Sequence, residues 1–161
     1  MGKFTSLHCT QIIVSIFAVF FFLFPAALSA YTQTLSIKGD NVHLRTGPGT
    51  QYKIKWEYGD GFPVEVVERQ GEWVKTKDFE GDTGWIHDSL LVNIAHAVVK
   101  ANKNKDENIN IRNGPGSDYE VIGKAYYGVV FKVLQHQSGW VEVQHESGLK
   151  GWVSSNLLWG H

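Results

Sequence analysis

Leu44-Arg45-Thr46-Gly47-Pro48-Gly49-Thr50-Gln51-Tyr52 returns, little changed, as Ile111-Arg112-Asn113-Gly114-Pro115-Gly116-Ser117-Asp118-Tyr119. A shift of about 67 residues carries one stretch onto the other and aligns Val42 through Leu91 with Ile109 through Leu158 without a gap, the self-similarity of a duplicated unit. Roughly fifteen of the fifty aligned positions are identical, too many for chance in a search for repeats. They fall where backbone geometry or a large side chain is demanding: Gly61 on Gly128, Trp73-Val74 on Trp140-Val141, Gly81 on Gly148, Gly84-Trp85 on Gly151-Trp152, and Leu90-Leu91 on Leu157-Leu158. The 161 residues therefore read as two very small domains. Units of about fifty residues are marginally stable unless stapled or tightly closed.

Cysteine supplies no staple. The one cysteine, Cys9, lies in an N-terminal leader, so the rest of the chain has neither a disulfide nor a thiolate to offer a metal or a substrate. That leader, residues 1–30, carries Lys3, then an apolar run from Ile12 to Phe24 broken only by Ser15, then Pro25-Ala26-Ala27-Leu28-Ser29-Ala30. Such a run is short for a membrane span and ends at small residues, which predicts a secretory signal peptide cleaved between Ala30 and Tyr31. The alternative is an uncleaved anchor with the same outward topology, the one route by which this chain is expected to meet a membrane. Without Lys3 the chain has 14 basic and 16 acidic residues, a balance unlike that of nucleic-acid-binding proteins. The first repeat holds nine acids and six bases, whereas the second holds four of each. Their partners or roles are therefore expected to differ.

Leu35 and Ile37 alternate with polar residues, as in an edge strand. Val42 and Leu44 flank His43, and Ile109 and Ile111 flank Asn110, a period of two that sends the apolar pair inward. Gly47-Pro48-Gly49 and Gly114-Pro115-Gly116 must leave the sheet, since proline has no donor and glycine favours unusual backbone angles. Strands resume at Phe62 to Glu68 and Val129 to Leu134, then at Glu72 to Thr76 and Gly139 to Val143, after hairpins around Gln70-Gly71 and Ser138-Gly139. Gly84-Trp85-Ile86 and Gly151-Trp152-Val153 follow, each leading to a short helical turn and a closing Leu-Leu. No window carries a helical apolar stripe. The expected fold is all-β: a small barrel over 31–91, a linker or edge segment over 92–108, a second barrel over 109–158 and a tail at 159–161. Within the connecting segment, Ile94, Val98 and Val99 suit an edge strand of the second barrel, and 102–108 a polar loop.

The repeated Leu-Arg or Ile-Arg followed by x-Gly-Pro-Gly, the later Trp-Val, the Gly-Trp-Ile or Gly-Trp-Val strand and the closing Leu-Leu resemble the bacterial SH3-like (SH3b) family, in the form of exported tandem SH3-domain proteins. Gly151-Trp152-Val153-Ser154-Ser155-Asn156-Leu157-Leu158 is also similar to the ending of eukaryotic SH3 domains, although the first repeat has Ser89 in place of Asn156. The resemblance implies two partly open barrels whose loops recognise ligands, often peptidoglycan or its stem peptides. It places Trp73 and Trp140 at the groove tryptophan of SH3-like domains, with Tyr52 and Tyr119 beside them.

Each of these residues has two readings. Trp73 and Trp140 either floor a groove or cap the core. Arg45 and Arg112 either clamp a carboxylate or bond the carbonyls of their own loop. Asn156 either donates to a bound backbone or caps its helical turn. Trp85 and Trp152 read as core. The histidines after the leader, His43, His87, His96, His136, His145 and His161, show no ligand-pair spacing, so no metal or other cofactor is expected. Asp78, Glu80 and Asp82 read as a solvated turn rather than a catalytic pair, and no nucleophile elbow is present. The expectation is a non-enzymatic binding module for the cell envelope, with peptidoglycan as partner or, alternatively, an extended or Pro-rich segment of another exported protein.

Overall fold

The computed structural model describes residues 1–2 and 32–161. The signal-peptide reading and the cleavage between Ala30 and Tyr31 lie outside the described residues. Residues 32–161 lie in one compact unit, built from fourteen strands in two seven-stranded antiparallel sheets.

The first sheet contains β1 (Thr34–Ile37), β2 (Val42–Arg45), β3 (Ile54–Tyr58), β4 (Pro63–Gln70), β5 (Trp73–Lys77), β6 (Thr83–His87) and, after a 3₁₀ turn at Asp88–Leu90, β7 (Leu91–Val92). They lie in the order β3-β2-β6-β5-β4-β1-β7. The second sheet contains β8 (His96–Val99), β9 (Ile109–Arg112), β10 (Val121–Ala125), β11 (Val130–Gln137), β12 (Trp140–Gln144), β13 (Lys150–Ser154) and, after a 3₁₀ turn at Ser155–Leu157, β14 (Leu158–Trp159). Its order, β10-β9-β13-β12-β11-β8-β14, repeats the first strand for strand.

Two differences from the sequence reading concern the sheet's ends. Leu35 and Ile37 do not lie on an edge: β1 is paired to β4 on one side and to β7 on the other. Likewise β8, which carries Val98 and Val99 but stops short of Ile94, lies between β11 and β14 and not on the edge of the second sheet. In each case the two-residue closing strand after the 3₁₀ turn pairs with the opening strand, which buries both faces of residues that alternation alone leaves half-exposed. The true edges include β3 and β10, two strands the sequence reading passed over.

Each sheet folds around its own core. In the first, Ile37, Val42, Leu44, Tyr58, Val64 and Ile86 pack together; in the second, Ile109, Ile111, Ala125, Phe131, Val141, Val143, Val153 and Leu158 occupy the centre with Ala97 and Val99. The repeat moves the core ring from one strand to another. Tyr58 with Val64 in the first barrel becomes Ala125 with Phe131 in the second, so each core receives one ring, from β3 in one case and from β11 in the other. Val74, Thr76, Val141 and Val143 are buried on one face of their strands, while Trp73 and Trp140 point to the other and are half-buried.

The ring exchange decides the neighbouring turn. Tyr58 brings a buried hydroxyl, which donates to Asp78 Oδ2 at 2.8 Å; the other oxygen of Asp78 accepts from the Glu80 and Asp82 backbone N–H groups at 3.0 and 2.9 Å. Asp78 is thus no solvated residue but the buried organiser of its hairpin, 8% exposed. Burial and this bond push the Tyr58 hydroxyl well above its ordinary range. In the second barrel, His145 takes the same position, lying edge-on to Phe131 at 5.8 Å and accepting from the Ser147 N–H at 3.2 Å.

The barrels touch through Phe79, whose ring lies 5.3 Å from Tyr127 and 6.4 Å from Trp159. The Tyr127 hydroxyl donates to Glu80, and Lys103 reaches the same carboxylate at 2.9 Å. Across the seam His96 Nδ1 lies 3.0 Å from Ser36 Oγ, which donates to the Ile94 carbonyl at 2.7 Å. Burial holds the His96 imidazole below its usual range.

Candidate functional site

The repeated turn is a self-closed loop. Arg45 Nη1 donates to the Thr50 and Tyr52 carbonyls at 3.0 and 2.9 Å, and Arg112 Nη1 donates to the Tyr119 carbonyl at 2.6 Å. Of the two readings of these arginines, bonding to the loop's own carbonyls is the one their geometry takes. The glycines serve space rather than backbone angle. Gly47 and Gly114 lie outside the left-handed region, and a Cβ at either would run into the ring of Tyr52 or Tyr119 folded across it. Each tyrosine is spent partly on its loop, yet stays 41% and 49% exposed, which leaves a ring face to solvent.

Beside each loop a shallow groove opens over the tryptophan. The first, about 250 Å³, is lined by Trp73, Val42, His43, Arg45, Thr50, His87 and Leu90, with Asp40 and Asn41 at its rim. The second, about 280 Å³, is lined by Trp140, Ile109, Asn110, Arg112, Ser154 and Leu157, with Asn102 and Asn108 at its rim. Position by position these are the same groove: Val42 and Ile109, His43 and Asn110, Arg45 and Arg112, Trp73 and Trp140, His87 and Ser154, Leu90 and Leu157 each stand 67 residues apart. The structure thus brings Trp73 together with Arg45, and Trp140 with Arg112. It does not place Tyr52, Tyr119 or Asn156 among the lining residues.

The chemistry of the two grooves differs. In the first, His87 stands edge-on to Trp73, with ring centroids 5.3 Å apart, and its Nδ1 caps the 3₁₀ turn through the Ser89 N–H at 3.4 Å. His43 Nε2 lies 3.2 Å from Glu57, and its Nδ1 lies 3.4 Å from Arg45 Nη2. In the second, Asn110 and Ser154 replace both imidazoles. Ser154 makes no capping bond, and Asn156 is exposed on the 3₁₀ turn rather than at its cap. A rigid indole flanked by a few polar groups suits an extended peptide or a sugar face, which loses little entropy on lying down. Trp85 and Trp152 are buried, with Lys75 Nζ 6.0 Å above the Trp85 ring.

Sequence reasoning missed Trp56, the most exposed aromatic side chain among the described residues at 64%. Its signal was there: Ile54, Trp56 and Tyr58 alternate with Lys55 and Glu57, and Trp56 has no tryptophan 67 residues on.

Residues 38–92 and 107–158 each match a family model described as a bacterial SH3 domain. Among curated proteins, the one named "Putative N-acetylmuramoyl-L-alanine amidase YrvJ" of Bacillus subtilis (strain 168) is 31% identical over 144 residues, 84% of this chain and 28% of that protein. The "Probable cell wall amidase LytH" of Staphylococcus epidermidis is 43% identical over 49 residues, 30% of this chain and 17% of that protein. The chain therefore spans less than a third of the length of either relative. Among solved structures, an NlpC/P60 family protein from Bacillus cereus ATCC 10987 covers 79% of this chain and 56% of its own, at 16% identity and a TM-score of 0.37.

Proposed function

The chain belongs to the bacterial SH3 domain family as a tandem of two copies, and we propose that it is an exported binding module that recognises peptidoglycan or its stem peptides through the Trp73 and Trp140 grooves. The observation that carries the reading is the repetition of one groove, position for position and around the same tryptophan and arginine, in both barrels. Two weak sites held on one compact unit add through effective concentration, which gives the duplication a purpose. Relatives named as an N-acetylmuramoyl-L-alanine amidase and a cell wall amidase favour the wall as the surface approached, and an envelope location follows from the same reading. The chain carries no reaction of its own in this account. The ionisable side chains at the grooves lie in solvent-exposed pairs such as His43 with Glu57 and His87 with Glu72 at 3.7 Å, not as an acid and a base held in a dry cleft.

Co-sedimentation with purified peptidoglycan tests the reading. Retention that persists at high salt is expected, since stacking on an indole is not screened as ion pairs are. Recovery of the folded protein wholly in the supernatant would refute it.

A further inference from the structure

Trp56 occupies a place where the sister barrel is plugged. It pairs with Leu44 in register on the inward side of β3, as Gly123 pairs with Ile111 on β10. At Gly123 a Cβ would stand 2.6 Å from Leu149 Cδ2, so Leu149 closes the barrel end there. In the first barrel, Asp82 replaces Leu149 and Trp56 replaces Gly123. The result is a pocket of about 290 Å³ with walls of Trp56, Phe62, Phe79 and Tyr127 and with Asp78 and Asp82 among its polar lining. It shares no residue with the Trp73 groove.

An aromatic wall beside carboxylates selects a cation, because ring faces and carboxylates both favour positive charge. The chain itself shows this recognition at the pocket's rim. Lys103 Nζ lies 2.9 Å from the Glu80 carboxylate and 5.9 Å from the Tyr127 ring centroid, an ammonium held by an acid and a π face. Asp78 is committed to Tyr58 and the hairpin N–H groups, and Glu80 to Lys103 and Tyr127. Asp82 is different: Lys55 approaches it only to 4.0 Å while donating to the Thr83 carbonyl, and its side chain stays 68% exposed. That leaves one carboxylate held only by a long, exposed ion pair, and one open indole face. We infer that this pocket binds a primary ammonium group at the end of an aliphatic chain, the stem lying on Trp56 and the charge at Asp82. The site is independent of the groove reading and is a second point of contact.

The probe is n-butylammonium, with 1-butanol as its neutral counterpart, followed through the Trp56 indole N–H resonance. That resonance is assigned by its loss in Trp56→Gly. The expected result is a saturable shift with n-butylammonium, at least about tenfold weaker with 1-butanol, and lost in Asp82→Leu. Both substitutions install what the second barrel already carries, and Asp82→Asn serves as the conservative check should either perturb folding. An indole resonance that does not move, moves equally with 1-butanol, or moves unchanged in Asp82→Leu and Asp82→Asn overturns the inference. Peptidoglycan co-sedimentation is read separately, so failure here leaves the groove assignment standing, and the reverse.

Discussion

The two barrels share strand order, loop and groove, yet differ at two places. At the groove, Asn110 and Ser154 stand where the first barrel has His43 and His87; at the aromatic pocket, Gly123 and Leu149 stand where it has Trp56 and Asp82. What both copies retain is what closes the fold: the arginine on its loop carbonyls, the tyrosine over a glycine, the half-buried tryptophan. What drifts is polar chemistry around a fixed indole. Duplication of a marginal unit thus keeps the backbone solution and frees the rims to specialise.

The comparison breaks first where both copies are most alike. A Cβ at Gly84 would stand 2.5 Å from Leu44 Cγ and 2.8 Å from the Arg45 carbonyl oxygen; at Gly151 it would meet Ile111 Cγ2 at 2.6 Å and the Arg112 carbonyl oxygen at 2.8 Å. Backbone cannot step aside as a side-chain tip can. Gly84→Ala and Gly151→Ala are each expected to cost about 3 kcal/mol, read as a fall in the denaturant midpoint. If one copy tolerates the change, the two cores are less equivalent than their registers indicate.

A smaller effect sharpens the difference between loops. Arg45 holds two carbonyls and Arg112 one. Arg45→Ala should therefore destabilise by about 1 kcal/mol more than Arg112→Ala in paired urea titrations. Equal losses would contradict the bonding described for the two turns.

The seam between barrels supplies a pH test. Burial holds the His96 imidazole below its ordinary value, so the unfolded chain takes up this proton more readily than the folded one. Stability from this group is complete above the unfolded value, about 6.5, and is lost as pH falls toward the folded one. The melting temperature should drop between pH 7 and pH 5, and His96→Gln should flatten that slope. An identical slope in the variant would move the titration elsewhere.

The smallest expected effect is on stability in the sister swap. Trp56→Gly with Asp82→Leu rebuilds in the first barrel the plug of the second, and should shift stability by no more than about 1 kcal/mol. A large loss would show that Trp56 is needed for packing and not only for its exposed face.

The duplicated loop, the alternation around His43 and Asn110, and the closing Leu-Leu made the all-β class and most strand positions legible in the sequence, because each marks where apolar side chains must turn inward. Three features were not. The pairing of β7 with β1 and of β14 with β8 is long-range, and local alternation cannot distinguish an edge strand from one covered later by the chain. The burial of Asp78 depends on Tyr58, twenty residues away, which carries the hydroxyl that Ala125 lacks. The glycines of the repeated turn read as a demand for unusual backbone angles, whereas at Gly47 and Gly114 the folded ring of Tyr52 or Tyr119 is what excludes a side chain. Among the site residues, the two tryptophans were legible as a repeated pair, whereas the sequence set Tyr52 and Tyr119 beside them where the loop arginines line the grooves, and Asn156 gave no sign of standing outside the groove.

The central claim is that two corresponding grooves, each built on a tryptophan, act together on one surface. Its most direct test is co-sedimentation of Trp73→Ala, Trp140→Ala and the double variant with purified peptidoglycan, with folding checked by circular dichroism. Each single substitution should weaken retention by about 10- to 100-fold through loss of the linked site, and the folded double variant should stay in solution. Retention of the folded double variant at the level of the unaltered protein would contradict the account.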